Sequence, residues 1–191
     1  MTEREYKFLL TKEQFYKVMK RATELYSVPT EKMQTNHYYD DDALSLNRRG
    51  ITVRIRQSDG KHRLQIKRHG NVKNGCSTSE ETEQEINEIT DGIALPEFGC
   101  LTYKGSLTTR RHSFAVCQGV SLDMDINTYL DLVDYEVEIE FDAGMRSQAE
   151  AVNSALGLET VNNRNKSARF FGRLSAQKAA GLERTGGIVG I

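Results

Sequence analysis

Apolar positions recur along the chain with two periods. Residues 3–10 alternate with period two, which places Glu3, Glu5 and Lys7 on one face of a strand and Arg4, Tyr6 and Phe8 on the other. Residues 12–26 switch to helical spacing, with Phe15, Val18, Met19, Ala22 and Leu25 on one side. Thr11, with Gln14 three residues on, supplies a capping-box start for that helix. Short alternating runs follow at 34–41, 51–58, 62–69 and 81–90, and Ser58-Asp59-Gly60 joins two of them as a tight turn. Residues 92–103 read as helix or loop around Pro96. Strands resume at 106–117, 119–127 and 134–142, with Cys117-Gln118-Gly119 as a turn. A helix fits 146–156 with Gly157 as its stop, and a last one fits 163–180. About eight strands with few helices between them predict a closed barrel or a sandwich.

The strand faces separate charge by sign. Arg54 and Arg56 oppose Ile51, Val53 and Ile55; Arg63, Gln65 and Lys67 oppose Leu64 and Ile66. Glu136, Glu138 and Glu140 oppose Val137, Ile139 and Phe141, whereas the register of Glu83 and Glu85 against Ile86 is loose. For a single strand, a wet face accounts for such a row. Several rows of one sign each do not suit a surface shaped only for solubility, because like charges side by side repel. They suit one polar lumen with a basic wall and an acidic wall. Glu3, Glu5, Glu136, Glu138 and Asp123 in such a lumen require cations, and Lys7, Arg54, Arg56, Lys67, Arg111 and Lys166 require a multiply charged anion. A polyphosphate carrying one or two Mg2+ or Mn2+ ions satisfies both. By this reading, Glu3→Gln or Glu138→Gln leaves the fold intact and relieves repulsion in the metal-free protein.

Composition narrows the class. The chain has 191 residues with 38% hydrophobic and 28% charged residues, as expected of one folded domain. The net charge of -1 offers no footprint for nucleic acid. No apolar run approaches the ~20 residues of a membrane helix, and the charged start Met1-Thr2-Glu3-Arg4-Glu5 has no secretory signal, so a cytoplasmic location is expected. Cys76, Cys100 and Cys117 are scattered and read as reduced thiols. His37, His62, His69 and His112 have no ligand spacing and read as surface or loop histidines. Tyr38 and Tyr39 read as packing residues, and Arg48-Arg49-Gly50 as a turn. No glycine-rich phosphate loop followed by Lys-Ser/Thr occurs.

Glu3-Arg4-Glu5-Tyr6-Lys7 resembles the ExExK signature of the CYTH, or triphosphate tunnel metalloenzyme, superfamily. That group includes thiamine triphosphatases, inorganic triphosphatases and class IV adenylyl cyclases. Further segments are similar in order: Tyr38-Tyr39-Asp40, Val53-Arg54-Ile55-Arg56, Leu64-Gln65-Ile66-Lys67, Thr82-Glu83-Gln84-Glu85, Thr109-Arg110-Arg111, Leu122-Asp123-Met124-Asp125, Tyr135-Glu136-Val137-Glu138 and Asn165-Lys166-Ser167-Ala168-Arg169-Phe170. The chain departs from the family at Asp40-Asp41-Asp42, where Asp-Thr often stands, and residues 70–80 blur which of Glu81, Glu83 and Glu85 faces the lumen.

The resemblance implies an α+β fold, a closed eight-stranded antiparallel tunnel with helices outside, formed by residues 1–175 and followed by a frayed or helical tail, 176–191. It implies a metal-dependent triphosphatase in which Lys7, Arg54, Arg56, Lys67, Arg111 and Lys166 grip the triphosphate. Glu3, Glu5 and Glu138 hold a metal, Mg2+ or Mn2+, while Glu136, Asp123 and Glu83 bind a second or orient water. The catalytic set is Glu3, Glu5, Lys7, Glu136 and Glu138. The expected partner is a triphosphate-containing small molecule, with no nucleic acid and no membrane; nothing in the sequence specifies oligomeric state. Cyclisation of ATP to cyclic AMP and non-catalytic polyphosphate or nucleotide binding are the alternatives.

Overall fold

A computed structural model describes residues 2–158 and 164–181. The strands are β1 (Thr2–Leu10), β2 (Thr30–Asp40), β3 (Ile51–Ser58), β4 (Lys61–Lys73), β5 (Cys76–Ile86), β6 (Gly92–Leu95), β7 (Gly99–Cys117), β8 (Val120–Tyr129) and β9 (Leu132–Phe141). The helices are α1 (Lys12–Tyr26), the single-turn α2 (Ser45–Arg48), α3 (Arg146–Leu156) and α4 (Lys166–Ala179). Strand order is β2-β3-β4-β5-β1-β9-β8-β7-β6, and a further β2–β7 pairing closes the eight-stranded antiparallel barrel, leaving β6 as an extra strand. No described helix is long and apolar enough to cross a membrane.

Turn chemistry sets the register. Asp59 and Gly60 both have positive φ (53° and 72°) and close the β3–β4 hairpin, with Ser58 opposite Lys61. Asn74 and Gly75 do the same (51° and 75°) between β4 and β5, so Lys73 faces Cys76 and β5 starts at 76 rather than 81. Residues 92–103 form a hairpin of β6 with the start of β7, correcting the helix-or-loop expectation. Pro96 falls in its turn, where the missing N–H costs no ladder bond. Thr11 caps α1 with the full capping box, and Gly157 ends α3 in the left-handed conformation. The last helix starts at Lys166 behind its Asn165 cap and passes residue 175 to Ala179; residues 163 and 182–191 lie outside the described residues.

Alternation then sorts the side chains. Outward-facing Phe8, Leu122, Met124, Val137 and Ile139 meet Phe15, Val18 and Ala22 of α1 and Ala149, Val152 and Leu156 of α3. Each large apolar side chain so buried contributes ~1.5–3 kcal/mol. A second cluster, Tyr39, Leu46, Val53, Ile55 and Leu101, lies under the β6–β7 hairpin and α2. The third involves the lumen. Tyr38 sits opposite Arg54, on the inward face, and its ring meets Phe170 and Phe171 of α4 at centroid distances of 4.8 and 5.7 Å. The helix α4 thus stoppers one end of the barrel with aromatic rings. Gly105 permits this approach: a Cβ there would lie 2.8 Å from Phe170 Cζ. Asp40, part of the acidic triplet, is structural, accepting bonds from the amides of Asp41, Leu46 and Asn47.

Candidate active site

The inward residues line a cavity with room for about 60 Å3 of water, with contributions from every barrel strand except β8. Glu3, Glu5 and Lys7 come from β1, Gln34 from β2, Thr52, Arg54 and Arg56 from β3, Lys67 and His69 from β4, Glu81 from β5, Arg111 from β7, and Glu138 and Glu140 from β9. The start of α4 adds Asn165, Lys166 and Ser167. The lining therefore carries five carboxylates against six Lys/Arg cations.

These charges interleave instead of forming two separate walls. Glu138 is the hub: Lys166 lies 2.7 Å from it, Lys7 3.2 Å and Arg111 2.5 Å. Burial alone would raise the Glu138 carboxyl, but Lys166, Lys7 and Arg111 outweigh it and hold it well below the usual carboxylate range. Arg111 also grips Asp125 through two bonds (2.9 and 2.6 Å) and Asp123 at 2.6 Å. Lys166 reaches Asp125 (2.9 Å) and Glu136 (2.7 Å) as well. Lys67 pairs with Glu3 at the mouth, and Arg54 lies 3.4 Å from Glu81.

Two groups break the pattern. Arg56 forms no ion pair among the described residues; its Nε donates to Asn36 Oδ1 at 3.0 Å. Burial and the neighbouring Arg54 and Arg111 lower its pKa to about 10. Glu140 likewise has no cation partner among the described residues. Burial and the Glu138 and Glu5 carboxylates push it up to about 7. The lumen thus holds, on β3, a cation in want of an anion and, on β9, a carboxylate in want of a cation.

Oxygens of Glu5, Glu138 and Glu140 lie within 4.8 Å of one another, as do those of Asp125, Glu136 and Glu138. An all-carboxylate donor set suits a hard divalent cation. Glu138 is common to both groups and Glu5 is paired with Lys7, but only the first group contains a carboxylate, Glu140, without a cation partner among the described residues, so it fits a metal better.

The sequence-derived residues thus divide. Glu5, Lys7, Arg54, Arg56, Lys67, Arg111, Glu138 and Lys166 converge, with Glu3 at the rim. Asp123 and Glu136 are buried behind Arg111 and Lys166 and do not line the cavity. Glu83 is a misplacement: it is exposed and accepts a bond from Gln65 Nε2 (2.9 Å), while Glu81, opposite Lys67, faces the cavity. Of β5, only Glu81 lines the cavity.

His69 also departs from expectation, lying on β4 in the cavity wall. Its Nε2 is 2.9 Å from Thr52 Oγ1, which is 2.6 Å from Ser167 Oγ. Burial and the nearby Lys67, Lys7 and Arg54 lower its pKa to about 3, so it is neutral in ordinary buffers. His37, His62 and His112 lie on strands rather than loops. Missed residues carried readable signals. Glu140 and Asp125 continue the period-two rows of Glu138 and Asp123. Arg169 follows Lys166 by three on one helix face and binds Asp134 and Glu136.

Comparison with known proteins places the fold. The chain is 31% identical to YjbK, a candidate triphosphatase of Bacillus subtilis (strain 168), over 88% of this chain and 94% of YjbK. Among solved structures, a candidate adenylate cyclase from Bacillus halodurans superposes with a TM-score of 0.67 at 24% identity, covering 87% of this chain and 96% of that one. The candidate adenylyl cyclase HpAC1 from Hippeastrum, described as having a dominant triphosphatase activity, gives 0.67 at 22% identity, covering 90% and 96%. The CYTH domain profile matches residues 1–171, and the chain belongs to that family.

Proposed function

We propose that this protein hydrolyses inorganic triphosphate or a small organic triphosphate, using Mg2+ or Mn2+. The observation that carries the reading is the opposed pair of uncompensated groups in one cavity, Arg56 on β3 and Glu140 on β9. A metal-bound polyphosphate neutralises both at once. The names of YjbK and HpAC1 support the same class of chemistry.

Binding proceeds by exchange of partners. Lys7, Lys67, Arg54, Arg111 and Lys166 turn part of their hydrogen bonding from carboxylates to phosphate oxygens, and Arg56 acquires its first anionic partner. The Arg side chains can make bidentate contacts, and the Lys side chains act as point charges. Glu5, Glu138 and Glu140 would hold the metal, which when bound supplies Lewis-acid polarisation of phosphoryl oxygens. Preorganised cations in a partly dehydrated lumen stabilise the charge that develops on those oxygens. The aromatic stopper from α4 limits water entry at that end.

Cyclisation of ATP would also require a ribose hydroxyl held in line with the α-phosphate, a demand that the charged lining does not itself meet. Purified protein with Mg2+ or Mn2+ should release phosphate from inorganic triphosphate or thiamine triphosphate faster than it forms cyclic AMP from ATP. Faster cyclic AMP formation would overturn the proposal.

A further inference from the structure

Beside the charged groups, the inward face of β2 carries two donors with nothing to donate to. Asn36 is fully buried, and its Oδ1 accepts from Arg56 Nε at 3.0 Å. Since Arg56 can only donate, that bond fixes which end of the amide faces it, and Nδ2 is left without a partner. Two residues on, Tyr38 is fully buried, and its hydroxyl also lacks a partner. The ladder places Asn36 opposite Arg56 and Tyr38 opposite Arg54. The charges acting on the phenol are those of Arg54, Lys166, Arg56 and Arg169, all cations and none an acceptor.

Buried donors without acceptors are rare because each carries its full desolvation cost. An apolar side chain of similar size at either position would avoid that cost. We infer that the neutral donors Asn36 Nδ2 and Tyr38 OH, buried just behind the cavity lining beside the cationic Arg56, form with it a subsite for an ionised phosphoryl oxygen. Asn36 Nδ2 and Arg56 can only donate, and the Tyr38 hydroxyl has cations around it, so the ligand atom that suits all three is an acceptor. An ionised phosphate oxygen, which accepts several hydrogen bonds at once, is such an atom. Rejection of a mismatched group is strongest where it leaves buried polar groups unpaired. The inference deepens the triphosphate reading and rests on it.

Tyr38→Phe is the cleanest test, because it removes only the hydroxyl and keeps the ring against Phe170. Two readouts are needed with Mg2+: KM for inorganic triphosphate, and protection by inorganic triphosphate against thermal unfolding. Tyr38→Phe and Asn36→Ala should each raise KM on the order of tenfold, the worth of a hydrogen bond to a charged group. Thermal protection should shrink in parallel, while ligand-free Tyr38→Phe is at least as stable as wild type. A KM within twofold of wild type for both variants, with protection unchanged, would overturn the subsite and leave water as the partner of these donors. Wild-type protein that is protected by triphosphate yet releases no phosphate would overturn the hydrolysis reading alone, and the loss of protection in the variants would still decide the subsite. A wild type that neither binds nor cleaves triphosphate overturns both.

Discussion

Replacing Glu140 by Gln should stabilise the metal-free protein at alkaline pH and leave it unchanged in acid. The carboxyl's pKa rises from an ordinary 4.5 to about 7 in the folded state, through burial and the adjoining Glu138 and Glu5 carboxylates. With the folded pKa above the unfolded one, the native state holds the proton more tightly. Below about 4.5 both states are protonated and the site costs nothing; stability then falls as pH rises, and above about 7 the full cost of an ionised, unpartnered carboxylate is present. Such a change in proton affinity corresponds to roughly 3 kcal/mol at ~1.4 kcal/mol per tenfold. Partial solvent access at Glu140 reduces this to about 2 kcal/mol. Denaturant unfolding in chelator at pH 4 and pH 8 measures the effect. Wild type should lose about 2 kcal/mol more than Glu140→Gln between these values, and Mg2+ should restore more stability to wild type. A variant that is less stable than wild type at pH 8, or has the same pH dependence, would refute the reasoning.

Other substitutions test neighbouring parts of the account. Glu138→Gln should destabilise the metal-free protein by ~3–5 kcal/mol, because it strands the buried charges of Lys7, Lys166 and Arg111, as denaturant unfolding at pH 7 would register. That reverses the relief of repulsion expected from the sequence, which belongs to Glu140 instead. Gly105→Ala should cost ~1–3 kcal/mol, since its Cβ meets Phe170 and its φ of +133° suits glycine; thermal unfolding would show this. Its turnover should fall as well, because the displaced helix α4 carries Lys166 into the cavity.

Much of the barrel was legible because a period-two pattern needs only local information. Alternation put Arg54 and Arg56 opposite Val53 and Ile55, and closure of the sheet turned that face inward. The N-cap of α1 and the Gly157 stop were equally local. What failed depended on register between strands. Glu83 and Glu81 share a face, and only the Asn74-Gly75 turn, followed by an irregularity between His69 and Val72, brings Glu81 opposite Lys67. The helix α4 lies far in sequence from the strands that it stoppers, so nothing local announced that Ser167 would meet Thr52. Nor can a list of charges show which are already paired. Glu136 and Asp123 look like available ligands in sequence, but are saturated by Lys166, Arg169 and Arg111. The informative groups, Arg56 and Glu140, stand out only against a lumen in which most other charges have partners.

The central claim, that one charged lumen holds a divalent metal and a triphosphate together for hydrolysis, is tested most directly by phosphate release from inorganic triphosphate. The rate should be measured with Mg2+ or Mn2+, in excess chelator, and after the metal is restored. The account predicts turnover with metal, its loss on chelation as the carboxylates give up their ion, and its recovery on re-addition. Undiminished phosphate release in excess chelator would contradict it.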